Sequence, residues 1–489
     1  MHLPILRAGR PYRSLDRDPL PHVQTGEPVA EVSRANPGLI AHDLLHQREN
    51  RQALEERSVA ELIEICSKAA ELFVSAELPL DPDQGTTQTF DQYVEQLAST
   101  TGMPQALGRS NSEKIRFMMA EMERVLGGLT RSLDLEVLDR VFGTENGRPV
   151  SYRRQSESLG VILPSNSPGV HSLWIPSIPL KTPLVLRPGS REPWTPLRVA
   201  WALIEAGCPP EAVSLYPSGH DGATRILLDT GRSMLFGDEK TVGPWAKDPR
   251  VELHGPGWSK VILGPDVTAD PDRTRELMPL VAESVAANGG RSCINASGLW
   301  LARAEGEPPR GRETAVELAR ELAQTEALPL DHPEASLAAW SDPELAHRIS
   351  EYVDGQLEID GAHDVSREVR GEDRVVTVDG LTYLVPTVVW CEDPQHPLTR
   401  AELLFPFVSV VEVPRGELLH RLGPSLVVSS VTEDPGFTRD LLDCPAIERL
   451  NVGAIPTSKV SWDQPHEGNL FSHLYRRRAF QGELGEMAA

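Results

Sequence analysis

The sequence predicts an α/β chain in which parallel sheets are covered by helices, preceded by a mainly helical lead-in. Two patterns carry that expectation. From Leu159 onward, short apolar runs alternate with amphipathic stretches, with turn residues between them. Before that point the spacing is helical. Ser58-Val59-Ala60-Glu61 makes a capping box that opens a helix to about residue 73, and Ser110-Asn111-Ser112-Glu113 precedes an amphipathic stretch to about 129. At 489 residues the chain has room for two or three domains with substantial cores.

Taken in order, residues 1–50 are proline-rich and mixed in charge, and they read as an irregular arm. Strands follow at Val161-Ile162-Leu163 and Leu184-Val185-Leu186. A helix over about 195–206 is stopped by Gly207 and Pro209-Pro210. Then come a strand at 213–216, a helix at about 222–228, and strands at Met234-Leu235-Phe236 and Val251-Glu252-Leu253. This rhythm predicts a parallel sheet whose ligand lies beyond the carboxyl ends of its strands. Pro164-Ser165-Asn166, Arg187-Pro188-Gly189-Ser190 and Gly237-Asp238 each follow an apolar strand, so they share that rim. A second α/β segment spans about 270–440, and the tail from Asn451 reads as irregular and strand-like. The expected domains are 51–253 (with a bridging segment at about 140–158), 254–445, and a return segment at 446–489.

Composition narrows the function. The chain is 40% apolar and 24% charged, as in ordinary soluble globular proteins. A net charge of −23 argues against nucleic acid and anionic membrane surfaces, since few cations are left to meet phosphates. Residues 158–180 carry no charge, but four prolines, Asn166 and His171 would be unsatisfied in lipid, so no membrane span is expected. The first residues lack the apolar core of a signal peptide. Five scattered cysteines without a CxxC pair suggest reduced thiols in a cytoplasm, and no metal site.

Ala286–Ser297 reads AANGGRSCINAS. Leu277, Val281 and Val285 mark a helix closing at Asn288-Gly289-Gly290, which leaves Cys293 just beyond it in a glycine-rich turn. A thiol in such a turn is desolvated yet reachable, as a covalent nucleophile requires. By itself the cysteine is better explained as a small core residue.

Five further matches in order make the chain resemble the aldehyde dehydrogenase superfamily over most of residues 150–470. Pro164-Ser165-Asn166-Ser167-Pro168 is similar to that family's Pro-Trp-Asn-Phe-Pro. Arg187-Pro188-Gly189-Ser190 falls at its Lys-Pro-Ser-Glu turn, and Gly290-Arg291-Ser292-Cys293 at its Gly-Gln-x-Cys. Tyr383-Leu384-Val385-Pro386-Thr387 resembles Gly-Tyr-Phe-x-x-Pro-Thr, and Leu404-Phe405-Pro406 resembles the end of Glu-x-Phe-Gly-Pro. The resemblance implies a Rossmann-like cofactor domain, an α/β catalytic domain, and a small strand-rich oligomerisation element formed by the Tyr152 region and the C-terminal tail of a homodimer or homotetramer. It implies Cys293 as nucleophile, with the Asn166 amide and the Cys293 N–H stabilising the oxyanion. The implied substrate is a small aldehyde or acyl thioester.

For the cofactor, NAD or NADP, the resemblance implies contacts from Leu163, Pro164, Ser165, Arg187, Ser190, Arg191, Gly219, Gly237, Val242 and Phe405. Ser190 stands for the acid that grips a ribose 2′-hydroxyl. Its replacement, with Arg187 and Arg191 nearby, tips the balance slightly toward NADPH. Leu403 stands where an acid next to Phe405 is expected. The largest departure is His254, where hydrolytic members carry the glutamate of Glu-Leu-Gly-Gly-Lys. Three readings follow. In the favoured one no water-activating base remains, and the thioester exchanges with a thiol such as coenzyme A, as in acylating aldehyde dehydrogenases and acyl-CoA reductases. In the second, His254 serves as base for hydrolysis. In the third, the chain is a catalytically degenerate binding or scaffold relative. Glu283 reads as a surface helix position.

Overall fold

The computed structural model describes Met1–Gln481. The chain divides into two compact units. One comprises Met1–Thr100, Arg109–His254 and the residues from Ser461 on; the other comprises Thr101–Gly108 and Gly255–Val460.

The first unit is organised by a seven-stranded sheet. Five parallel strands run in the spatial order Val251–His254, Arg232–Phe236, Leu159–Ile162, Leu184–Arg187, Val213–Leu215. In chain order that is the doubly wound arrangement, with its switch point between Leu159–Ile162 and Arg232–Phe236. A ligand crevice is expected outside the carboxyl ends there. All four residues of Leu159–Ile162 are buried, as a strand covered on both faces must be. The covering helix Trp194–Ala206 is apolar nearly all round and buried along most of its length, and Gly207 ends it in the left-handed conformation (φ 108°).

The arm at 1–50 is not irregular. Ile5–Arg7 and Arg10–Tyr12 extend the large sheet antiparallel at its edge. His2–Leu3, Pro28–Ser33 and Arg17–Pro21 form a second sheet, followed by the helices Pro37–Asp43 and Gln47–Glu55. His2 anchors this sheet through Ser33 Oγ (2.9 Å) and Asp81 Oδ2 (3.0 Å). Prolines sit in these strands because they lie at or near sheet edges, where a missing N–H costs little. The capping box at Ser58 forms as expected and opens Val59–Ser75. Ser110-Asn111-Ser112-Glu113 does not start a helix: it lies inside Gln105–Ala120. Arg148–Arg154 pairs with Gly143–Glu145 and with the C-terminal strand Tyr475–Arg478, placing Tyr152 opposite Arg477. The rest of the C-terminal element, 482–489, lies outside the described residues.

The second unit carries another seven-stranded sheet. Its order is Ala362–Asp364, Thr387–Cys391, Phe407–Pro414, Ala296–Arg303, Ser259–Leu263, Ser425–Val431, Ile447–Val452, parallel except for the first. Residues Ile447–Val452 are therefore sheet in this unit, not a tail. Val261, Leu263, Leu299, Val408 and Val410 form its core with Met278–Ala286 and Gly311–Leu322. Among the described residues no helix is long and apolar enough to cross a membrane, and no cluster could hold a metal ion.

One buried cation staples the first unit together. Arg198 donates from Nε to Phe73 O (2.8 Å), from Nη1 to Gln88 O (2.9 Å) and from Nη2 to Ala76 O (2.7 Å). Arg198→Met would leave three carbonyls unpaired in the interior. We expect a loss of about 3 kcal/mol in the stability of this unit, read as a lowered thermal midpoint, with Lys rescuing little because it lacks the planar fork.

Candidate active site

In the second unit the cysteine turn is built by backbone close approach. Met278–Ala286 ends at Ala287, and Asn288, Gly289 and Gly290 all take positive φ (54°, 66° and 72°). A Cβ on Gly290 would lie 2.3 Å from the backbone of Phe405 and Pro406, so only glycine fits. Asn295 closes the turn: its Oδ1 accepts from Ser292 N (2.8 Å) and its Nδ2 donates to Ala287 O (2.8 Å). Arg291 is buried, donates to Thr101 O and Ala339 O, and lies over the Trp340 ring.

Cys293 sits on this turn with part of its surface exposed, whereas Cys66, Cys208 and Cys391 are buried. Burial and, less, the charge of Glu402 push its thiol up to about 12 against the Cys293 and Ile294 backbone N–H groups and Arg449. The opposite wall is the stretch after Gly255. A Cβ on Gly257 would lie 2.0 Å from the Cys293 carbonyl oxygen and 3.3 Å from its Cβ. Ser259 Oγ donates to the same carbonyl (2.8 Å).

Leu403 is partly buried, and the acid next to it in sequence is Glu402. Its carboxylate accepts from Trp258 N (2.5 Å) and from the Gly257 amide. Burial pushes it up to about 7 against those two amides and Lys260. Lys260 is buried and donates to Trp258 O (2.6 Å), Pro424 O (3.2 Å) and Ser425 Oγ (2.8 Å). Desolvation lowers its ammonium to about 7, with Glu402 opposing. Phe405 is a core side chain packed with Phe407, so its backbone, rather than its ring, borders the turn. Glu283 is exposed.

In the first unit the rim residues gather at the switch point. Leu163 is buried, and its N–H bonds Arg187 O (2.9 Å). Pro164, Ser165 and Asn166 form a partly exposed bend. A Cβ on Gly189 would strike Ser165 Oγ and Pro164 O, and Ser165 Oγ accepts from Arg191 N (3.2 Å). Ser190 is exposed. Arg191 also reaches Pro21 O (3.4 Å). Glu192, the nearest acid in sequence, turns inward to His171 (3.1 Å) and Thr195 N (2.8 Å). Gly237 abuts Thr241, whose N–H is capped by Asp238, while Val242 is packed in the core.

Arg187 Nε donates to Ser218 O (3.1 Å), and Ser218 Oγ is buried with no hydrogen-bond partner among the described residues. At Gly219 a Cβ would lie 3.0 Å from Nη2 of Arg34. Arg34 was not foreseen, because it comes from the arm read as irregular. Two arginines beside an unsatisfied hydroxyl at the start of His220–Asp229 fit the ribose or phosphate end of a dinucleotide.

His254 does not stand as a free base. Its ring stacks on Phe236 (4.2 Å), Nε2 faces Glu252 Oε1 (3.2 Å), and Nδ1 is paired with Glu467. Both ring nitrogens face carboxylates, although Nδ1 and Glu467 Oε2 make no hydrogen bond. Burial pushes the Glu252 carboxyl up, but His254 and His473 more than offset that, holding it below the usual range. Asn166 and Cys293 belong to different units. Gly257→Ala should displace the Cys293 loop. We expect iodoacetamide labelling of Cys293 to change at least about tenfold, with unchanged circular dichroism.

No protein-family model and no curated protein matches the sequence. Solved structures do. An NAD-dependent aldehyde dehydrogenase from Sinorhizobium meliloti superposes with a TM-score of 0.75 at 17% identity, over 99% of this chain and 95% of that one. A 3,6-anhydro-L-galactose dehydrogenase solved in complex with NAP gives 0.73 at 12% identity, over 98% and 99%. The NAD+ complex of an aldehyde dehydrogenase from Bacillus cereus gives 0.74 at 14% identity, over 98% and 96%. At these identities the likeness is one of architecture, and it is nearly end to end: the chain has the aldehyde dehydrogenase fold.

Proposed function

We propose that this chain is an NAD(P)-dependent oxidoreductase that interconverts an aldehyde and an acyl group carried as a thioester on Cys293. The observation that carries the proposal is the turn at Cys293: a partly exposed residue whose desolvated sulfur is faced by the backbone N–H groups of residues 293 and 294. Those donors suit a sulfur that must bear charge in passing. A scaffold protein has no need of such a turn. The fold shared with dehydrogenases solved with NAD+ and NAP supports the same reading.

The residues fit a dinucleotide at the first unit's rim, where it would supply a hydride acceptor or donor. Arg187, Arg34 and Ser218 hold its ribose or 2′-phosphate; Pro164, Ser165 and Gly189 border it. Glu192 is turned inward and Ser190 carries no charge, so neither repels a 2′-phosphate, which favours NADP(H); the Asp221 carboxylate, which with Arg34 faces Gly219, works against it. The sulfur of Cys293 bonds the carbonyl carbon, and the Cys293 backbone N–H receives the oxyanion.

The acyl acceptor is a thiol such as coenzyme A or water. Thiol exchange needs no strong base. Hydrolysis assisted by His254 is the less favoured route, because Glu252 and Glu467 face the two ring nitrogens. The free cysteines support a reducing, cytoplasmic setting. The outer edge of Tyr475–Arg478 has no strand paired to it among the described residues, which supports a homodimer or homotetramer.

Two measurements test the proposal. Purified protein with a medium-chain acyl-CoA and NADPH should consume NADPH, and Cys293→Ala should abolish it. Turnover restricted to aldehyde with NADP+ or NAD+, releasing free acid, would remove the thiol acceptor; no turnover in either direction would remove the oxidoreductase. Arg187→Ala should raise KM for NADP+ about tenfold or more while leaving that for NAD+ within about twofold. Equal effects on both would assign Arg187 to the shared part of the dinucleotide.

A further inference from the structure

We infer that Lys114 binds an anionic group carried by the substrate, remote from the carbon that reacts. The inference rests on the acyl chemistry proposed above and adds a charge to its substrate. Lys114 lies in the helix Gln105–Ala120, whose residues from Arg109 on belong to the first unit. It is half-buried and makes no hydrogen bond or ion pair among the described residues. Burial lowers its ammonium, and no carboxylate acts to raise it. The two fully buried lysines are treated differently: Lys181 is paired with Asp139, and Lys260 donates to three oxygens. This chain has 71 acids against 48 lysines and arginines, yet none of those acids serves Lys114. A desolvated cation without a counter-ion is a cost to the fold, and an anion brought by a ligand removes it.

The helix sets that charge at the ligand rim of the first unit. Lys114 is three residues beyond Asn111, so the two share a side of the helix. Asn111 is buried, and a Cβ on Gly169 would lie 3.1 Å from its Oδ1. Gly169 belongs to the turn Pro168–Leu173, which continues the Pro164-Ser165-Asn166 bend beyond the strand Leu159–Ile162. Val170 and Leu173 of that turn are only partly buried, and Phe117, three residues past Lys114, is exposed. A carbon chain with an anion at its far end matches this combination of apolar surface and unpaired cation. The anion is an oxygen anion in either of two positions: a carboxylate ending the acyl chain, or a phosphate of a coenzyme A thioester.

The test compares the full chain with Lys114→Met, similar in length but uncharged, and with Lys114→Arg. Two substrate pairs differ in charge. One is an ω-carboxy aldehyde against the alkanal of equal length, with NADP+; the other is an acyl-CoA against the matching acyl-pantetheine, with NADPH. In one pair, Lys114→Met should lower kcat/KM at least about tenfold for the charged member and leave the neutral member within about twofold. The pair that responds identifies carboxylate or phosphate. Lys114→Arg should retain most of the preference for charge. Without substrate, the thermal midpoint of Lys114→Met should rise, because an unpaired desolvated charge has been removed. A lysine kept for packing would give a fall instead. Equal effects on charged and neutral members in both pairs, or a lowered midpoint, overturn the inference and leave the Cys293 chemistry standing. Failure of the wild type to turn over any of the four substrates overturns both.

Discussion

Everything chemical in the second unit depends on two places where backbone meets backbone with no room for a side chain. At Gly257 a Cβ would fall 2.0 Å from the Cys293 carbonyl oxygen, and at Gly290 one would fall 2.3 Å from Phe405. Atoms at such distances repel by far more than a folded protein's margin of stability. These contacts place three remote stretches around one sulfur: the turn after Met278–Ala286, the start of Ser259–Leu263 and the approach to Phe407–Pro414. The same closeness removes water, and removal of water raises the thiol and the Glu402 carboxyl and lowers Lys260. Geometry and electrostatics here have a single cause.

What was legible in the sequence follows from which patterns are local. The parallel strands showed because each is a short apolar run ended by turn residues, and the ligand rim then follows from strand direction alone. The cysteine turn showed because left-handed backbone at 288–290 demands asparagine and glycine. The arm at 1–50 was misread because strands of two to six residues with prolines look like coil until a sheet edge is there to pair them. Arg34 went unseen for the same reason. Glu402 carried no signal of its own, because its partners, the Gly257 and Trp258 amides, are remote in sequence. For His254, no spacing could reveal Glu467, which is brought in only by the chain's return to the first unit.

The two histidine environments of the first unit show why a residue type alone is a poor guide to chemistry. His171 is buried between Glu192 and Trp174, supporting the start of Trp194–Ala206 through Glu192 and Thr195 N. His254 is buried between two carboxylates and an aromatic ring. Each is fully engaged in holding two elements together. Gly468 packs within 2.3 Å, by its missing Cβ, of the Glu252 carboxylate that faces His254, so the return segment is seated by the same cluster.

In the second unit, Lys260 and Glu402 are buried together beside the cysteine turn. A sulfur in a desolvated turn is held protonated by a neighbouring anion, and Glu402 is such an anion. Lys260 holds the Glu402 carboxyl lower than burial alone would leave it, while Glu402 holds the Lys260 ammonium up. Each is therefore buried near an opposite charge rather than alone, and the Gly257 and Trp258 amides satisfy the carboxylate. Removal of the lysine alone would leave the carboxyl to burial and two amides, and its anion would be costlier to keep beside the sulfur.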